Sequence, residues 1–250
     1  MCCFSQPINS VHQTRIFARA LAEQRQALVY GMTLDSPKDV AMILPIPVAG
    51  GSGEKAVSFV ALDKYPEFFS DLQSCFPMVR TFSNSRGIAA KSDQQALEVV
   101  RVGSFNASFV PTEKDFARLD PQFRLPDGVW ARLGGYAKYG FAVFKLRKGA
   151  AVVHPMAFTF PTSLPGQLFF PTVHIHDGEV HKKADFDHVL YAQPSPRGLV
   201  ESHRWEESEV PVQARLAMGK THGLVHGPGH VFRRTMVGEL KNVDVIVGVA

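Results

Sequence analysis

Apolar runs separated by short polar breaks dominate the opening of this chain. Residues 14–20 (TRIFARA), 26–34 (QALVYGMTL) and 40–48 (VAMILPIPV) are such runs, and Ala22-Glu23-Gln24 and Asp35-Ser36-Pro37-Lys38 between them are turn-like in composition. The shorter break predicts an antiparallel hairpin. Pro45 and Pro47 cannot donate to a ladder, so the third strand is expected to end near Leu44 or to lie at an edge. Residues 57–62 read as a further short strand. Residues 65–75 (YPEFFSDLQSC) predict a helix: Pro66 suits a first turn, Glu67 suits the positive end, and Phe68, Leu72 and Cys75 recur at helical spacing.

Residues 84–95 are polar and weakly patterned, which predicts a surface loop or linker. Strand character resumes over 97–110, with Gly103 placed for a bulge. Residues 113–119 (EKDFARL) predict a short helix capped by Thr112, and strands are expected over 136–146, 151–160 and 243–249. Together these patterns predict an α+β fold, predominantly antiparallel β-sheet with a few short helices. The length, 250 residues, suits one β-rich domain over 1–250 or two subdomains joined near 80–96.

The densest chemistry lies at 170–191 (FPTVHIHDGEVHKKADFDHVLY), which holds four of the ten histidines. Alternation from Thr172 to His176, followed by Asp177-Gly178 and a second run from Glu179, is the signal of a two-residue β-hairpin, with Gly178 supplying the positive φ of the turn. In that register His174 faces His181 and His176 faces Glu179. Side chains two apart share a face, so His174, His176, His181 and Glu179 are expected to project together. Neutral imidazoles held at cross-strand spacing can bind copper or zinc, and His154, in the 151–160 strand, could approach the same patch. Asp177, Glu179 and Asp187 are candidates to orient the ligating rings.

The three cysteines, two of them adjacent, do not form a disulfide framework. Cys75 lies in an apolar setting that marks a buried core residue. Cys2 and Cys3 leave three readings open. Removal of Met1 would give Cys2 a free α-amine beside its thiol, the arrangement of an N-terminal-cysteine amidohydrolase. One or both thiolates could join the histidines as soft metal ligands. Both could simply open a buried strand.

Charge narrows the partners. The balance of 27 basic and 23 acidic residues leaves +4 without a basic block, which argues against nucleic acid. No apolar run reaches membrane-span length and no secretory pattern opens the chain, so a cytoplasmic protein that engages no membrane is expected. Gly50-Gly51-Ser52-Gly53 lacks the following lysine and hydroxyl residue of a phosphate-binding loop. His222, His226 and His230 fall four apart, but Gly223, Gly227, Pro228 and Gly229 predict a loop there rather than a helix.

Cys2-Cys3-Phe4, the Leu28-Val29-Tyr30 run, the 41–47 stretch (AMILPIP) and Phe68-Phe69, with the later Tyr139 to Leu146 strand and His154-Pro155-Met156, are similar to an uncharacterised bacterial family. Its members carry cysteines near the mature N-terminus and a Pro-x-Pro stretch after a strand. The resemblance covers most of the chain loosely and implies a fold class and a cysteine motif without a mechanism.

Three functions are therefore carried forward. The first is a copper- or zinc-binding metalloenzyme, an oxidoreductase or hydrolase acting on a small-molecule or peptide substrate. Its candidate ligands are His174, His176, His181, His154, Cys2 and Cys3, with Cys2 and Glu179 as candidate catalytic groups. The second is a cysteine amidohydrolase built on Cys2. The third is a non-catalytic β-rich binding module.

Overall fold

A computed structural model describes residues 2–77, 100–102, 105–126, 128–194 and 198–249. The junction expected near 80–96, the loop at 84–95 and the Gly103 bulge lie outside those residues. The chain opens with β1 (Cys2–Phe4), β2 (Ser10–Leu21), β3 (Arg25–Ser36), β4 (Val40–Ile46), β5 (Ser58–Ala61) and helix α1 (Phe68–Gln73). Next come β6 (Val100–Val102), β7 (Phe105–Val110), helix α2 (Val129–Leu133), β8 (Gly140–Leu146) and β9 (Gly149–Pro161). The last third holds β10 (Gln167–Phe170), β11 (His174–Ile175), β12 (Lys183–Gln193), β13 (Glu206–Glu207), β14 (Phe232–Lys241) and β15 (Val245–Gly248).

The strands form a seven-stranded sheet in the order β13-β14-β12-β2-β3-β9-β5, a six-stranded sheet in the order β11-β1-β4-β8-β7-β6, and the pair β10-β15. This corrects the expected α+β class to a mostly β fold. The two α-helices among the described residues span six and five residues, too short to make a layer of their own. The helix expected over 113–119 is instead a 3-10 helix at Glu113–Arg118, where the Thr112 hydroxyl donates to the Asp115 carboxylate rather than capping a backbone N–H.

Both faces of the seven-stranded sheet are covered, which explains why β3 reads as an unbroken apolar run. Leu28, Tyr30 and Met32 enter one core with Leu44, Phe141 and Phe144 of the six-stranded sheet. Ala27 and Val29 enter a second core with Phe68, Phe69 and Leu72 of α1. Gly31 lets the helix approach, since a Cβ there would lie 2.7 Å from Phe69 Cε2. The hairpin expected between β2 and β3 is present and turns through Glu23 and Gln24 at φ 56° and 52°. Pro45 pairs with Phe141. It is accommodated because β1 flanks β4 at Met42 and Ile43 and no farther.

Two buried glutamines act as backbone surrogates. Gln26 donates to the Phe169 carbonyl and accepts from the Phe169 N–H, tying β10 to β3. Gln193 does the same with His226, fastening the irregular 208–231 segment over the second core.

Candidate functional site

The turn at Asp177-Gly178 forms, but the hairpin does not. Gly178 takes φ +84° and the Glu179 N–H donates to the Asp177 carboxylate, as in an Asx turn. No strand begins at Glu179, and β11 instead pairs in parallel with β1, Cys2 opposite His174 and Cys3 opposite Ile175. The competitor is Asn242. Its side chain accepts from the His174 N–H at 2.6 Å and donates to the carbonyls of His174 and His181, filling positions that a second strand would occupy. Asp244 continues the clamp, accepting from the N–H groups of Thr172 and Val173 and from the Tyr136 hydroxyl.

His174 and His176 share a face as expected, with rings stacked 4.9 Å apart. The third ring in the cluster is His188 of β12, stacked 4.7 Å from His174 and fully buried. His174 Nε2 and His188 Nε2 are 3.1 Å apart. One of these nitrogens must donate and the other accept, so the two rings spend their facing nitrogens on each other. Phe4 packs against His176 with ring centroids 5.7 Å apart, and Phe186 against His174 at 4.4 Å. Two buried nitrogens, His188 Nδ1 and His176 Nε2, have no hydrogen-bond partner. Asp187 lies 3.7 Å from His188 Nδ1, too far for a hydrogen bond.

Burial pushes all three imidazoles toward the neutral form. His174 falls to about 2, with His188 and His176 adding to the effect, and His176 falls to about 4. His188 is lowered by burial, against the pull of Asp187.

The remaining candidates are dispersed. His181 is exposed and pairs with Asp177 at 2.8 Å, pointing out of the cluster. Glu179 is exposed and pairs with Arg132 at 2.6 Å. His154 packs on Phe105, with centroids 3.9 Å apart, and its strand β9 is separated from the β12 of His188 by β2 and β3. Cys3 is buried in the main core. The backbone of Cys2 lies beside His174 in the parallel ladder. His222, His226 and His230 lie in a loop, where His230 Nδ1 contacts the Ser208 carbonyl.

The copper or zinc centre is therefore corrected: among the described residues, no three His, Cys, Asp or Glu side chains are arranged to hold a metal. Of the rings that do gather, His174 and His188 bond to each other and His176 stacks on His174, while His181 pairs with Asp177 at the surface and His154 packs on Phe105. Sequence reasoning missed His188, although the alternation Ala184, Phe186, His188, Leu190 placed it on an inward face of its strand. It also missed Asn242 and Asp244, which no local pattern singles out. Cys75 matches its reading as a core thiol, and burial pushes it up to about 11. No helix among the described residues is long and apolar enough to cross a membrane.

No protein-family model matches the chain, and no curated protein matches it. Solved structures do. The chain is similar to baculovirus P35 at 13% identity, with 99% of each chain covered and a TM-score of 0.52. It is also similar to a chain of the crystallised caspase-8/P35 complex at 14% identity, covering 95% of this chain and 96% of that one, with a TM-score of 0.50. At these identities the likeness is one of fold. Against the expectation of a small-molecule or peptide substrate, what P35 was crystallised with is a protein, caspase-8.

Proposed function

We propose that this chain is a non-catalytic, β-rich protein-binding module whose partner is a caspase-type cysteine protease. The observation that carries the reading is the end-to-end likeness of fold to baculovirus P35, which covers 99% of both chains, together with the caspase-8 complex of that protein. The histidine cluster supports it from the other side. Its rings are buried and held toward the neutral form, His174 hydrogen-bonded to His188 and stacked on His176, which suits a core that holds the N-terminal strand rather than a centre that turns over substrate. The chain works in the cytoplasm on this reading, where a buried thiol such as Cys75 stays reduced.

Mixing the purified chain with active caspase-8 tests the proposal directly. A complex on size exclusion and a fall in the protease's peptidase activity are the expected results. Separate elution with full peptidase activity, the chain being in molar excess, would overturn it.

A further inference from the structure

The seven-stranded sheet ends on an edge that is mostly open. Strand β13 covers β14 at Phe232 and Arg233, with Glu207 opposite the first and Glu206 opposite the second. Among the described residues no strand pairs with that side of β14 from Arg234 to Lys241. Those residues span roughly 23 Å at about 3.3 Å per residue. The Val231 carbonyl accepts from the Ser208 N–H on the β13 side. Alternation along an antiparallel strand therefore turns the N–H groups of Thr235 and Val237 outward as well.

The charges along this edge are arranged unevenly. Arg233 gives two hydrogen bonds to the Glu206 carboxylate, Arg204 pairs with Glu201 at 3.1 Å, and Glu239 pairs with Lys183 at 3.2 Å. Once these pairs are made, Arg234 and Lys241 have no carboxylate partner among the described residues, and they mark the two ends of the open stretch. At the Arg234 end, His203, Arg204, Trp205, Arg233, Thr235 and Glu206, the last already paired with Arg233, line a concavity with it. Between the ends, Val237 is 69% exposed.

We propose that the open edge of β14 receives an extended, acidic segment of a protein partner. The segment adds as an antiparallel strand in line with β13, and its carboxylates settle on Arg234 and Lys241. The chain itself supplies the precedent: β13 is an acidic dipeptide laid against the same strand with its glutamate on the neighbouring arginine. Backbone pairing would give the affinity and the end charges the choice of sequence. A second copy of this chain is a poorer occupant, since its own β14 brings Arg233, Arg234 and Lys241 against one acidic residue. The inference is independent of the fold likeness, so a failed caspase experiment leaves it standing and its own failure leaves the caspase reading standing.

The test is fluorescence anisotropy with a labelled synthetic peptide the length of Arg234–Lys241, carrying glutamates at both ends and alternating Val and Thr between them. The expected result is saturable binding that weakens as ionic strength rises. Arg234→Ala and Lys241→Ala should each weaken it by up to about fivefold. Val237→Pro, which removes an outward N–H from an exposed position, should abolish it while circular dichroism and the melting temperature stay near wild type. Equal binding of a peptide with lysines at its ends, or binding unaffected by Val237→Pro, would overturn the proposal. So would self-association of the free chain that Val237→Pro disrupts, since the edge would then belong to a second copy.

Discussion

Acid should loosen this protein through the histidine cluster, and the size of the effect follows from burial. A histidine whose folded pKa is depressed contributes stability that is fully present above its unfolded pKa and is lost as pH falls toward the folded value. The ordinary value is 6.5, and His174, 7% exposed, falls to about 2. Each pH unit below 6.5 therefore costs about 1.4 kcal/mol for this ring, or about 2 kcal/mol by about pH 5. His176, which falls to about 4, adds a comparable loss over the same window, and His188 shifts in the same direction. Of the carboxylates beside the cluster, Asp177 and Asp187 are held below the usual range. They stay charged until lower pH, whereas the Asp244 carboxyl, raised by burial, acts in the opposite sense and does so alike in wild type and in a His174 variant.

The assay is urea unfolding of wild type and His174→Gln at about pH 7.5 and about pH 5. Glutamine leaves His188 a polar neighbour but removes one titrating ring. Wild type should lose stability between the two conditions, and the variant should lose about 2 kcal/mol less. Comparing the pH-dependent difference, rather than absolute stability, separates titration from packing damage. Equal losses in the two proteins would refute the reasoning, because His174 would then titrate alike folded and unfolded.

Three further outcomes follow from single contacts. Asn242→Ala removes three hydrogen bonds to the backbone at His174 and His181; it should cost about 2–4 kcal/mol in urea unfolding and speed amide exchange at His174. Gly140→Ala would place a methyl 2.5 Å from Phe109 Cε2, against a buried ring between β7 and β8, and should lower stability by about 1–3 kcal/mol in thermal melts. Gln24→Gly relieves a left-handed non-glycine residue in the β2–β3 turn and should be neutral or stabilise by up to about 1 kcal/mol on the same measure.

Much of the sheet framework could be read along the chain. The runs at 14–20, 26–34, 40–48 and 151–160 each lie within or across a strand of the molecule, because a residue pair buried on alternate faces leaves a local trace in hydrophobicity. The β2–β3 hairpin was legible for the same reason, since its turn is local. Strand β14 left no such trace: its pattern FRRTMVGELK carries charge on both faces, and it is a strand because β12 pairs with it over ten residues. The helices were over-read, as short apolar spacing at 65–75 and 113–119 cannot say whether neighbouring strands leave room for more than one or two turns.

The candidate site divides along the same line. That His174 and His176 would share a face, that Gly178 would turn with positive φ, and that Cys75 would be buried are consequences of neighbours in sequence, and the chain alone determined them. Which partner His174 meets was settled by residues 14 and 68 positions away, His188 and Asn242. A turn signal states that the chain reverses, not that the strands on either side pair, and here a side-chain amide from a distant loop takes the backbone groups that pairing would need. Long-range hydrogen bonds leave no local periodicity, so only the folded molecule could separate a metal-binding ribbon from a buried imidazole stack.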